Sequence, residues 1–390
     1  MWAVPAWVLH ALDVVEIPLA GHVLAVIALY FVNRTMVQGR RRPPADWLRR
    51  YSAFAFASLI CSVFLFASAS VFGLARLLAA VADPGVGSAL ASVSRWWGLS
   101  GLAVLSAFLV FGYTGGQRQL LVTRLGVPVP GWRGGLRILQ LSDIHVGQNL
   151  SMAQLEEFVD QANREAPDLV CLTGDIADGP TADMDRFFPV LGRLRARFGV
   201  IAILGNHDHY AGADRVEAAL VRAGIEVLRD RAVTLQVDDQ MLHVIGLDDR
   251  GPDWARGMHD DEVLASLLAA APDNVSQLLL VHRPDVFRHA AREGIVLTLA
   301  GHTHGGQLAM PWFGGRRRNL AEFVTRFDRG LFRIGDARLY VNCGLGVTGQ
   351  RIRLFTPREI SVFDFCGAES RSAQVDAPDT PLLLAYRRTG

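Results

Sequence analysis

The sequence predicts an α/β fold in which two sheets pack face to face with helices outside, preceded by an N-terminal membrane region. Three observations predict it. From residue 136 onward, short apolar runs alternate with amphipathic segments. Most of the apolar excess of the chain lies before residue 117. Short blocks of His, Asp and Asn follow most of the later apolar runs. Buried strands read as continuous apolar runs, and their carboxyl ends are where open α/β sheets carry their sites.

With 390 residues the chain has room for two domains. Mean hydropathy is +0.24 and net charge +1, a balance that gives no reason to expect nucleic acid as a partner. All 39 basic residues are Arg, which a GC-rich coding bias explains more simply than a functional demand. Cys61, Cys171, Cys343 and Cys366 have no paired spacing, so no disulfide framework is expected.

Three stretches, residues 17–33, 52–75 and 96–117, are long and uncharged enough to cross a bilayer. The run from Met1 to Leu12 is broken by Pro5 and reads as interfacial. Between the first two stretches, Arg34 to Tyr51 holds six Arg against one Asp, whereas residues 76–95 hold only Arg76 and Arg95. The positive-inside rule puts the Arg-rich loop in the cytoplasm. Three spans then describe a multi-pass protein of the inner (cell) membrane with its C-terminal domain cytoplasmic. A further span within residues 76–95 would reverse the side of that domain.

Residues 118–135 read as a linker, rich in Gly and Pro from Gly126 to Gly135. Strands are expected at Leu136 to Leu141, Leu169 to Thr173, Val200 to Leu204, Leu278 to Val281 and Ile295 to Ala300. Ser151-Met152-Ala153-Gln154 is a capping box opening a helix to about Glu165. Further helices are expected at Asp183 to Arg197, Asp214 to Ala223 and Asp261 to Ala271. Val233 to Val237 and Met241 to Gly246 read as strands flanking a turn at Asp238-Asp239. Late strands are expected at Ala337 to Asn342, Arg351 to Phe355 and Glu359 to Phe365, and residues 367–390 read as a polar, disordered tail.

Five blocks carry the chemistry: Asp143-Ile144-His145, Gly174-Asp175 through Asp178, Gly205-Asn206-His207-Asp208, His282, and Gly301-His302-Thr303-His304-Gly305-Gly306. In extended chain, positions i and i+2 point the same way, so Asp143 and His145 can meet one ion. Imidazole, carboxylate and amide oxygen suit divalent first-row metals, and these groups are too many for one ion. Taken singly, Asp175 could be a turn or cap residue, Asn206 a turn residue and His282 a satisfied core histidine. Their joint occurrence at strand ends argues otherwise.

The order D-x-H, G-D-x-x-D, G-N-H-D, lone His, G-H-T-H-G-G-Q resembles the calcineurin-like metallophosphoesterase superfamily over roughly residues 136–365. Its bacterial membrane-anchored branch is similar in Gln140 to His145, in Gly344-Leu345-Gly346 and in Arg351-Ile352-Arg353-Leu354. The resemblance implies the αββα sandwich of that superfamily over residues 136–366 and two divalent ions, Mn²⁺ by preference, with Fe or Zn fitting the same ligands. It implies Asp143, His145, Asp175 and His304 around one ion. Asp175, Asn206, His282 and His302 would surround the other. His207 would face the phosphate and donate to the leaving oxygen, with Asp178 orienting it, and His209 reads as a rim residue. Gly179 and Asp208 stand where the protein Ser/Thr phosphatases of the superfamily have Arg and Glu, which argues against phosphoprotein substrates.

The implied reaction is hydrolysis of a phosphodiester or pyrophosphate bond by a metal-activated water. Relatives of the branch include enzymes that cleave the pyrophosphate of UDP-diacylglucosamine, so a membrane lipid or nucleotide-lipid is the expected substrate. Pro311 to Arg318 reads either as a lip touching acyl chains and phosphates or as an ordinary basic loop. Two alternatives stay open: a non-catalytic membrane scaffold or sensor regulated by metal, and a soluble cyclic-nucleotide phosphodiesterase.

Overall fold

A computed structural model describes residues 45–82, 84–147, 149–249, 261–273, 275–311 and 317–367. The expected span at 17–33, most of the Pro311 to Arg318 lip and the tail beyond Gly367 lie outside the described residues. The chain divides into two units, Met1–Thr114 and Gly115–Gly390.

The described residues of the first unit form two long helices, α1 (Ala45–Ala82) and α2 (Pro84–Tyr113). Apolar stretches long enough to cross a membrane run over Arg50–Ala79 and Ala89–Arg118, the second extending past the end of α2. Only 17% of the most apolar window of each is buried. Side chains such as Leu74, Leu77 and Val104 face outward, an arrangement that suits lipid rather than water. The indole N–H of Trp97 on α2 donates to the Ser68 hydroxyl on α1 at 3.1 Å. Residues 76–95, expected as a connecting loop, are helical on both sides of residue 83. Small apolar residues continue through this segment with two Arg as the only basic groups, and Pro84 sits at the first position of α2, where its missing N–H costs nothing.

The second unit runs β1 (Leu120–Val129), β2 (Leu136–Leu141), α3 (Met152–Arg164), β3 (Leu169–Thr173), α4 (Met184–Leu191), β4 (Val200–Ile203), α5 (Asn206–Ala211) and α6 (Ala213–Arg222). It continues with β5 (Glu226–Val227), β6 (Arg231–Val237), β7 (Gln240–Gly246), α7 (Asp261–Ala269), β8 (Ser276–Leu280), α8 (Phe287–Arg292) and β9 (Leu297–Ala300). Last come β10 (Ala309–Pro311), β11 (Arg317–Asn319), β12 (Gly330–Ile334), β13 (Ala337–Val341) and β14 (Arg358–Gly367). One six-stranded sheet has the order β1-β14-β2-β3-β4-β5, the other β12-β13-β9-β8-β7-β6.

Three apolar layers explain why these sheets stack as the sequence predicts. Ile138, Leu169, Ile201 and Phe363 of the first sheet meet Leu242, Leu278, Leu297 and Tyr340 of the second between the sheets. Leu139, Val170 and Ala202, one residue along, face outward against Phe158 of α3, Phe188 of α4 and Leu220 of α6. Ile245, Leu279 and Val341 face outward from the second sheet against Phe287 of α8 and Leu264 of α7. Period-two alternation with both faces apolar is what a sheet covered on both sides requires. The capping box of Ser151 and Gln154 starts α3 as expected.

Three expectations are corrected. Residues 120–129, expected within the linker, form β1, which pairs in parallel with β14 at the sheet edge. An edge position tolerates the Gly126 and Pro128 that suggested a linker. Helix α4 stops at Leu191 rather than Arg197, because Pro189 and Gly192 weaken it and Arg193 and Leu194 donate to carbonyls three residues back. Arg351 to Phe355 is not a strand; its β pairing among the described residues is the single bridge Leu308–Leu354. The alternation of Arg351, Ile352, Arg353 and Leu354 looks strand-like, but the Arg353 guanidinium turns inward and is fully buried among backbone carbonyls.

Candidate metal centre

The blocks leave their strands in backbone conformations that side-chain-bearing residues avoid. Asp143 (φ 50°), His145 (50°), Asp175 (51°), His302 (69°) and His304 (51°) all lie in the left-handed region. Such strain costs about 1–3 kcal/mol per residue and persists only where surrounding structure imposes it. Among the described residues, half of the ten non-glycine residues with positive φ fall in these blocks, so the packing is aiming particular side chains. Close approach also selects glycine: a Cβ at Gly205 would overlap Asp175, and one at Gly301 would overlap Ser142 and Asp143.

Aimed this way, the side chains converge from both sheets. Ligand atoms of Asp143, His145 and His304 all lie within 4.8 Å of one another, as do those of Asp175, His282 and His302. Asp175 stands between the groups: its Oδ2 is 3.2 Å from His282 Nε2 and 3.6 Å from His145 Nε2. Its Oδ1 accepts the backbone N–H of His207 at 2.8 Å. His145 Nε2 and His304 Nε2 are 3.0 Å apart, and His302 Nδ1 and His282 Nε2 3.3 Å apart. His282 donates Nδ1–H to the Thr173 carbonyl at 2.9 Å, which points Nε2 at Asp175. Asn206 is buried, and its Oδ1 has no hydrogen-bond partner among the described residues.

This donor set fits divalent cations. Facing imidazole nitrogens repel one another unless a proton or a cation lies between them, and an orphaned buried amide oxygen costs roughly 1–3 kcal/mol. The electrostatics carry the same message. Burial pushes the Asp143 carboxyl up, while Asp175, although burial opposes its charge, is held well below the usual carboxylate range by His282. Burial also opposes a charged His282, yet the Asp175 and Asp143 carboxylates raise it to about 10. His302 falls to about 3 through burial and the neighbouring His282. These shifts show how strongly the buried charges of the cluster act on one another.

His207 is three-quarters buried and lies at the rim of the cluster, with one ring nitrogen within 4.8 Å of His145 and Asp175 ligand atoms. Its Nδ1–H donates to the main-chain carbonyl of Asp178 at 2.8 Å. The Asp178 carboxylate reaches His145 Nδ1 at 3.1 Å and stands 3.6 Å from His207 Nδ1. Asp178 therefore holds two histidines, one through its side chain and one through its backbone. His209 faces away and bonds the buried Asp248 at 2.8 Å.

Sequence reasoning missed the groups that hold this arrangement. Asp208 is buried and accepts the N–H groups of Gly205, Ile176 and Ala177, tying the end of β3 to that of β4. Its proximity to Asn206 was visible; its backbone partners were not. Ser142 donates to Asp143 Oδ2 at 2.6 Å. Arg353 donates to the carbonyls of Cys343, Gly344 and Gly346, and that segment lies against Asp143 and Ile144.

Two face-to-face sheets that deliver imidazole, carboxylate and amide donors to one edge define a metal-dependent phosphoesterase as the class of protein. A family model described as calcineurin-like phosphoesterase matches residues 136–306. The uncharacterized metallophosphoesterase YkuE of Bacillus subtilis is 33% identical over 239 residues, spanning 60% of this chain and 80% of that protein. The chain belongs to the calcineurin-like metallophosphoesterase family. The transmembrane protein with metallophosphoesterase domain of Danio rerio is 28% identical over 274 residues, 67% of this chain and 60% of that protein. A solved dimetal phosphatase from Danio rerio is similar with a TM-score of 0.38 at 15% identity, covering 56% of this chain and 90% of that one.

Proposed function

We propose that this chain is a membrane-anchored dimetal hydrolase of a phosphodiester or pyrophosphate bond, acting on a lipid or nucleotide-lipid. Asp143, His145, Asp175 and His304 hold one ion in this reading. Asp175, Asn206, His282 and His302 hold the other, Mn²⁺ being preferred at both positions. The observation that carries it is the position of Asp175, whose Oδ2 lies within 3.6 Å of imidazoles from both groups. When bound, the two ions supply Lewis-acid activation of a water and neutralise phosphate oxygens. The remaining work falls to side chains. Asp178 fixes the ring of His145 and, through its carbonyl, that of His207, leaving the second nitrogen of His207 to give a proton to the leaving oxygen. The helices α1 and α2 motivate the membrane anchor, and the Arg-rich Arg34 to Tyr51 segment motivates a cytoplasmic site in the inner (cell) membrane.

The test is metal content and turnover of an aryl phosphodiester by the Mn²⁺-loaded full-length protein. Two ions per chain with turnover are expected, and His302→Ala is expected to abolish turnover and remove at least one ion. Metal binding without turnover of any phosphate ester would favour the scaffold or sensor instead. His207→Ala is expected to lower kcat by about 10²–10⁴-fold, the usual contribution of a positioned proton donor, with metal content near normal. Loss of metal in that variant would make His207 a ligand.

A further inference from the structure

The topology of the second unit fixes where the chain enters it relative to the metal centre. Strand β1 is parallel to β14, which is antiparallel to β2. The first residue of β1 therefore lies at the same sheet edge as the last residue of β2. Leu120 pairs with Arg358, and continuing the β14–β2 register three residues past the Ser361–Gln140 pair brings Arg358 level with Asp143. The Arg358 guanidinium donates to the Gln117 carbonyl at 2.8 Å and also to the Leu345 carbonyl, beside the metal-ligand segment. The polypeptide that follows the apolar helix α2 thus joins the domain at the edge that carries the site.

A second feature lies on the chain just after the metal loop. Of the eight exposed large apolar side chains among the described residues of this unit, four fall between residues 310 and 324. They are Met310, Leu320, Phe323 and Val324, and Phe323 is 88% exposed. The backbone around Asn319 is held by hydrogen bonds. Asn319 Oδ1 accepts the Ala321 N–H at 2.9 Å and Asn319 Nδ2 donates to Asp328 at 2.6 Å. Thr303, between His302 and His304, donates its hydroxyl to the Asp328 carbonyl at 2.6 Å. The apolar surface is therefore fastened to the metal loop itself. Residues 309–329 also hold five Arg against Glu322 and Asp328.

We propose that Met310, Leu320, Phe323 and Val324 form a docking surface for an anionic lipid bilayer, seating the metal centre against the membrane so that phosphate headgroups enter it from the lipid surface. The inference rests on the membrane-anchored reading above and deepens it. Exposed aromatic and aliphatic side chains accompanied along the chain by Arg, of which Arg318 and Arg326 are exposed, are the composition that settles at the boundary between headgroups and acyl chains. Such contacts are weak singly, but an anchor in the same chain keeps their effective concentration high. Free in water, the same four side chains would stay exposed.

The test uses the full-length chain in vesicles of phosphatidylglycerol and phosphatidylcholine. Phe323→Cys is labelled with an environment-sensitive nitrobenzoxadiazole dye, and the wild-type chain labelled in parallel gives the background from its own cysteines. Docking predicts a blue-shifted emission that doxyl-labelled lipid quenches about twofold. Quenching should weaken in pure phosphatidylcholine and in an Arg318→Glu/Arg326→Glu background. An emission that stays water-like, or quenching indifferent to lipid charge, overturns the proposal. Metal content and aryl phosphodiester turnover on the same preparations separate the two readings. Turnover without quenching ends the docking surface alone, and quenching without turnover ends the hydrolase reading alone.

Discussion

Replacing Asp175 by Asn is expected to lower kcat/KM on any phosphate ester by at least about 10³-fold, roughly 4 kcal/mol of transition-state stabilisation. Metal content should fall from two ions per chain to fewer than one. The reason is positional. Among the described residues, Asp175 alone has a carboxylate oxygen close to imidazoles of both groups, with His282 Nε2 at 3.2 Å and His145 Nε2 at 3.6 Å. Asn keeps the size and one oxygen, which can still accept the His207 N–H at 2.8 Å. Its NH₂ would turn hydrogens toward ring nitrogens or cations, and the site would lose one of the negative charges that lower the cost of gathering cations there. Elemental analysis beside steady-state kinetics decides the matter. Two tightly held ions in the Asn variant would show that Asp175 bridges nothing.

The contrast with His207→Ala separates holding metal from moving protons. Both residues sit in one cluster, but Asp175 is buried and central, whereas His207 is partly exposed and tied to the main chain of Asp178. A large kinetic effect with metal intact is expected at one position and a loss of both at the other.

The sequence makes the site more legible than its frame. Five blocks at strand ends name Asp143, His145, Asp175, Asn206, His282, His302 and His304, because ligand chemistry admits few residue types and glycines flank them. Apolar runs likewise place β2, β3, β4 and β9 nearly to the residue, since strands buried on both faces leave no polar interruption. What stays hidden depends on partners distant in sequence. β1 contains Gly126 and Pro128 and becomes a strand only because β14, more than two hundred residues later, offers it an edge. Arg351 to Phe355 has the right alternation but no neighbouring strand to pair with. Asp208 looks like one more acid beside a ligand, and its role lies in three backbone N–H groups from two loops. A fully buried Arg353 runs against the ordinary exposure of Arg, so nothing local could announce it.

Arg353→Met is expected to cost the second unit about 3–5 kcal/mol, the scale on which a broken buried charge network destabilises a fold. For a domain of this size that corresponds to a thermal midpoint lower by roughly 10 °C. The guanidinium donates to carbonyls of Cys343, Gly344, Gly346, Thr356 and Pro357, all within 3.4 Å. Burial lowers its pKa to about 10, so it stays charged at neutral pH. Met matches the stem but supplies no donor, and each carbonyl left unpaired and buried adds about 1–3 kcal/mol before the loops relax. Arg353→Lys should recover part of the loss, because an ammonium offers three donors but no planar fork. A second consequence follows from Arg353 Nη2 lying 3.3 Å from His304 Nδ1. Removing the group that positions both His304 and the segment against Asp143 should weaken metal binding about 10–100-fold, as loss of an outer-shell partner commonly does. Scanning fluorimetry of metal-free and metal-loaded protein separates the effects. The midpoint should fall in both states, and the stabilisation gained on adding Mn²⁺ should shrink in the variant. An unchanged midpoint in the metal-free state would mean that the carbonyls find other partners and that Arg353 serves the metal ligands alone.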